Sequence, residues 1–214
     1  MTNVRPFVSP TEQASFAREF VERRVGGFDK DINICLTAND AGSHAYMPGL
    51  MTCLSFLDLL SGLRIGDIDS QTIRHFLEFM ADFTPPGRYG PVTLRILYVA
   101  FRHKLAHLGH PYFVLNTKKD KRQRFKDLPQ MLLAWEFDSE PHDPPIELIE
   151  YPTPQRTKIQ PVPKEVLYTH RMCVSVRTLA EDAKDAAANY MRRLETDANL
   201  LACFVACMDD FYQQ

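Results

Sequence analysis

The residues of this chain best suited to chemistry lie together in one stretch, R-H-K-L-A-H, at positions 102 to 107. Arg102 supplies a permanently charged planar fork that can grip a phosphate through two N–H bonds. His107 supplies a group with an unperturbed pKa of about 6.5, able to take up a proton and return it. On a regular helix these two are about 140° apart around the axis, and His103 falls about 40° from His107, so the three border one concave region. Such a set suits cleavage of an RNA phosphodiester. The histidine removes the 2′-hydroxyl proton while the arginine neutralises charge growing on the phosphate. RNA carries its own nucleophile in the 2′-OH, so this chemistry calls for no cofactor and no metal.

The same residues support other readings. His103, His107 and His110 are spaced H-x3-H-x2-H, and an i,i+4 histidine pair can enter one zinc coordination sphere. No cysteine or carboxylate lies close by in sequence, and no Glu follows His103 as in H-E-x-x-H. Arginine and histidine at a helix end also complement the negative pole of the macrodipole without any function. Further on, residues 118 to 126 hold six basic side chains in nine, among them Lys118, Lys119, Lys121, Arg122 and Arg124. This is either a solvated hairpin tip or an arm that tracks phosphates, with Tyr112, Phe113 and Phe125 available to stack on bases. Asp58, the one interior acid of an apolar helix, either orients a histidine or pairs with Arg102 to hold the helices together.

The element that must position this cluster runs from Pro91 to Pro111. Proline suits a first helical position, Gly109 the residue past the end, and Pro111 cannot continue the helix. Leu94, Leu97, Tyr98, Phe101, Leu105 and Leu108 form one apolar stripe, and Val92, Ile96 and Val99 lie opposite. A helix apolar on both faces is buried on both, so the second stripe should meet another element or a second copy of the chain.

Other helices are expected on either side. Ser9, Pro10 and Glu12 read as a helix start, with Gly26-Gly27 as its end. Ile32, Ile34 and Leu36 alternate as a short strand would. An apolar helix begins near Pro48 and closes at Gly66, and another, capped by Asp69 or Ser70, spans Thr72 to Phe83. Strand-like runs follow at 112–115, 132–137 and 146–151, with Trp135 in the core of their sheet. Helical periodicity returns from Pro163 to Phe211. The fold class is mainly α, a helical bundle with a small antiparallel β appendage at about 112–151 and C-terminal helices at about 163–212, in a single domain over 1–214.

The arrangement A-F-R-H-x-x-x-H-x-x-x-P at the end of an apolar helix resembles the HEPN superfamily, with Arg102, His103 and His107 on its motif positions, over roughly residues 48 to 111. The family's usual asparagine after the arginine is His103 here. The resemblance implies a four- or five-helix bundle that pairs into a homodimer across the motif helix, two motifs sharing one composite cleft, and metal-independent RNA cleavage. It also leaves room for an antitoxin or another protein partner.

The rest of the composition narrows the setting. With 214 residues, 45 % of them apolar, and a net charge of −2, the chain can build a sizeable core and does not advertise nucleic-acid binding over its whole surface. Cys35, Cys53, Cys173, Cys203 and Cys207 form no CxxC pair, as expected of reduced thiols. The first residues lack the apolar run of a signal peptide, and no stretch approaches 18 uninterrupted apolar residues. A cytoplasmic location without membrane contact is the expectation. Three functions fit: a HEPN-like ribonuclease or RNA-binding protein, a non-catalytic dimeric helical module, and a zinc-binding helical protein.

Overall fold

The computed structural model describes residues 9–70, 72–102, 114–115, 128, 131–158 and 165–213. The chain is mainly α with a small β appendage. Two compact units are found: Met1–Arg88 with Leu179–Gln214, and Tyr89–Thr178.

The first unit is helical. Helix α1 (Pro10–Leu36) starts as predicted, the Glu12 amide donating to Ser9 Oγ at 3.3 Å and the Ser9 amide to Glu12 Oε2 at 3.0 Å. It does not stop at Gly26-Gly27, and no strand follows. Ala17, Val21, Phe28, Ile32 and Leu36 are buried at intervals of four and seven, so one helical stripe runs through both glycines. Ile34, the middle of the apparent alternation, is 73 % exposed. Tertiary burial of Phe28, Ile32 and Leu36 outweighs the poor helix propensity of the glycine pair.

Helix α2 (Tyr46–Ile65) is the core of this unit. Leu50, Leu54, Leu57, Leu60 and Leu63 are fully buried, each stabilising by about 1.5–3 kcal/mol relative to exposure. The helix is long and apolar enough to cross a membrane by length and composition, but here it packs against α1, α3 (Ile73–Phe83) and α6 (Ala198–Gln213). It ends at Gly66, whose φ of 79° is left-handed and whose missing Cβ would sit 3.2 Å from the Cys203 carbonyl oxygen on α6. The cap of α3 is Thr72, not Asp69 or Ser70; Asp67 Oδ1 instead accepts from both of those amides at 2.9 Å. Helix α5 (Val176–Leu194) contributes Tyr190, whose ring meets Phe83 edge-on at 5.5 Å. Lys184 pairs with Asp29 at 2.8 Å and Arg18 with Glu195 at 3.0 Å.

The second unit carries α4 (Pro91–Ile96), a π-helical turn (Leu97–Arg102) and four strands: β1 (Val114–Leu115), β2 (Met131–Asp138), β3 (Ile146–Lys158) and β4 (Glu165–Ser175). The sheet order is β1-β2-β4-β3. It is mixed rather than purely antiparallel, because β4 pairs parallel to β2 and antiparallel to β3. Its central strand, β4, lies in the stretch the sequence assigns to helix. Leu167 and Val174 fall seven apart, as on a helix, but the local pattern is period two: Tyr168, Met172 and Val174 are buried, while Leu167 is 43 % exposed.

Strand β4 passes into α5 without a loop, and Ser175 at the joint is fully buried. Its hydroxyl donates to the Glu140 carbonyl at 2.6 Å and its amide to the Pro145 carbonyl at 2.9 Å. The β2–β3 connection is thereby tied to the end of β4.

Two outcomes follow. Gly26 is exposed mid-helix with nothing near its absent Cβ. Gly26→Ala should therefore raise unfolding free energy by about 0.5–1 kcal/mol in urea titrations. The second concerns acid. The Lys184 ammonium holds Asp29 below the ordinary carboxylate range, and the Leu200 amide, followed by Arg193, does so for Asp197. A lowered folded-state pKa gives stability that is present above the unfolded value and lost as pH falls through the folded one. The urea midpoint should hold from pH 7 to about 5 and decline below about pH 4, with a shallower decline in Asp197→Asn.

Candidate functional site

The cluster read from the sequence rests on α4 and the turn that follows. A continuous α-helix from Pro91 is expected there, but α-winding lasts only to Ile96, and residues 97 to 102 wind as a π-helix. Each π turn takes in an extra residue, so the phase of a side chain at its end differs from that of a regular helix. All five residues from Leu97 to Phe101 are buried, which accounts for the apolar run on every side.

Up to residue 101, both predicted stripes are largely covered within a single chain. Leu94, Leu97, Tyr98 and Phe101 are at most 3 % exposed, Ile96 is fully buried and Val99 nearly so; Val92 alone is 37 % exposed. The described part of this helix, apolar all round, thus finds cover inside the chain. The sheet supplies part of it, the Phe101 ring lying 5.4 Å from both Trp135 and Phe137. Trp135 stands with Met131, Leu133 and Phe137 on one face of β2; Met131 and Leu133 are buried, whereas Trp135, expected in the core of the sheet, is only half-buried.

Arg102 closes the π turn half-buried, its guanidinium over the Tyr98 ring at 5.1 Å from the centroid. This cation–π contact is the geometry that the sequence did not disclose. Tyr98 read simply as a core position, and only its four-residue separation from Arg102 pointed to a shared face. Asp58 is buried on α2, in the first unit. His103, His107, His110, Lys118, Lys119, Lys121, Arg122 and Arg124 lie outside the described residues. Among the described residues no group of three or more His, Cys, Asp or Glu is placed to hold a metal.

Two further polar groupings were not anticipated. On the opposite face of the sheet Arg171 pairs with Glu136 at 2.8 Å, and the Cys173 thiol points to the same carboxylate. Burial pushes that thiol up to about 11, against the lowering effect of Arg171, so it stays protonated and is a poor nucleophile. In the first unit a cleft of about 550 Å³ is lined by Phe83, Pro85, Pro86, Asn189, Arg192 and Arg193. There the Arg193 guanidinium lies over Phe83 at 5.0 Å, and Asn189, which donates to the Phe83 carbonyl at 2.8 Å, also accepts from Arg192. A guanidinium lies over an aromatic ring in both units, but of these arginines only Arg102 adjoins a histidine-rich stretch in sequence.

The burial of Ile96 gives a test. Ile96→Glu would place an unpaired charge in an apolar contact, at a cost on the order of 3–5 kcal/mol. The fall in thermal midpoint should be the same at low and high protein concentration, as for burial inside one chain; a concentration-dependent fall would mark an interface between copies.

No protein-family model, curated protein or solved structure matches this chain.

Proposed function

We propose that the chain binds RNA and cleaves it without a metal, in the manner the HEPN resemblance implies, with Arg102 as the phosphate-gripping group and His107 as the proton-transferring one. The supporting observation is the placement of Arg102: a guanidinium at the end of a buried π-helical turn, backed by an aromatic ring. An arginine ordered in this way loses little freedom on gripping a phosphate, because its planar fork is already oriented. π-Helical turns inside helices also concentrate at functional sites. His103 would share the cleft, and the basic side chains from Lys118 to Arg124 would follow the strand by charge, giving affinity a steep salt dependence. Two copies would contribute the composite cleft. Among the described residues of the second stripe, Val92 keeps substantial exposed surface for such a contact.

In the reaction, His107 takes the proton of a 2′-hydroxyl, the 2′-oxygen attacks the adjacent phosphorus as the P–O5′ bond breaks, and the 5′-oxygen leaves with a proton from water, giving a 2′,3′-cyclic phosphate and a 5′-hydroxyl; His107 then releases its proton to solvent. Arg102 neutralises the extra negative charge on the phosphate oxygens as the attack proceeds. The test is cleavage of single-stranded RNA in the presence of a chelator, with the matching 2′-deoxy strand left intact. His107→Ala should abolish cutting with the fold retained. Arg102→Lys should lower it by at least about tenfold, since an ammonium cannot reproduce a two-point grip. Cutting that survives His107→Ala would refute the assignment, and cutting lost only on chelation would transfer the cluster to a zinc site.

A further inference from the structure

We infer that Tyr98 is a positioning residue for Arg102 toward a phosphate of single-stranded RNA; this rests on the RNA reading above. Two contacts fix the π turn. Phe101 is fully buried against Trp135 and Phe137, at 5.4 Å from each ring. Tyr98, 3 % exposed, lies beneath the Arg102 guanidinium at 5.1 Å. A ring buried this far cannot swing away, so the cation has a fixed aromatic face beneath it.

The chemistry favours a planar cation here. An aromatic ring attracts a cation to its face through its quadrupole, and an arginine lying on that face keeps its N–H donors in its own plane, directed sideways from the ring. Those in-plane donors are the ones that bind two phosphate oxygens at once. The ring thus selects the orientation of the fork, and its electron density sets the strength of that selection. It touches neither the substrate nor the scissile bond in this arrangement; it acts through Arg102.

A graded substitution tests this without emptying the core. Binding of a fluorescein-labelled single-stranded uridine 20-mer is measured by anisotropy at low salt, for the full chain and for variants whose thermal midpoints match it. Tyr98→Phe keeps the ring face and should bind as the parent does. Tyr98→pentafluorophenylalanine keeps the shape but reverses the quadrupole, and should weaken binding by about three- to thirtyfold. Tyr98→Leu should weaken it similarly. In an Arg102→Gln background, neither of the last two changes should have any further effect. Parent-like binding by the fluorinated variant, while Arg102→Gln alone weakens binding, would overturn the positioning role and leave the RNA reading standing. Unchanged binding by Arg102→Gln, or no binding by the parent chain, would remove the RNA reading and this inference with it.

Discussion

Helix α2 is apolar around its whole circumference, and the first unit exists in its present form because that surface has to be covered. One neighbour cannot cover a cylinder, so α1, α3 and α6 all pack on it. The covering is close: at the C-terminal end a Cβ at position 66 would lie only 3.2 Å from the Cys203 carbonyl oxygen of α6. The Cys207 thiol reaches the Gly62 carbonyl at 3.6 Å. The length of α1 follows from the same demand. Its buried stripe must extend along α2, with the Phe28 and Phe56 rings stacked at 4.4 Å, and it carries the helix through a glycine pair that would end an isolated one.

The second unit solves a related problem in a different way. A helical segment buried on all sides, residues 97 to 101, leans on the aromatic face of a sheet instead of on other helices alone. The HEPN resemblance implies a motif helix within a helical bundle; in this chain α4 and its π turn belong to the unit that holds the sheet. The chemistry proposed for Arg102 therefore depends on packing between a helix and a sheet, with Tyr98 and Phe101 as the residues that transmit it.

Much of this was readable from residue patterns. The starts of α1 and α4, the extent of α2 and the places of β1, β2 and β3 were marked by caps, prolines and periodicity. The failures share a cause, which is that local pattern does not know its tertiary partners. Gly26-Gly27 signalled an end that burial of Phe28 and Ile32 overrode. The alternation at Ile32, Ile34 and Leu36 was a coincidence, as the exposure of Ile34 makes plain. Strand β4 hid because Leu167 and Val174 fell in phase with the helix that follows directly. Its parallel partner, β2, is set by the sheet as a whole and by no local signal. At the candidate site the residue types of Arg102 and its histidines were legible, whereas the π winding and the ring beneath the guanidinium were not, because neither alters the hydrophobic pattern.

The first unit is assembled from both ends of the sequence, residues 1–88 and 179–214, and this has a consequence during synthesis. Helix α2 leaves the ribosome long before α6, its partner at Gly62 and Gly66, has been made. At 5–20 residues per second the whole of residues 89–178 adds a delay on the order of ten seconds. Through that interval the leucine-rich surface of α2 has only α1 and α3 against it. The apolar surface of α2 is therefore only partly covered until α5 and α6 have been made.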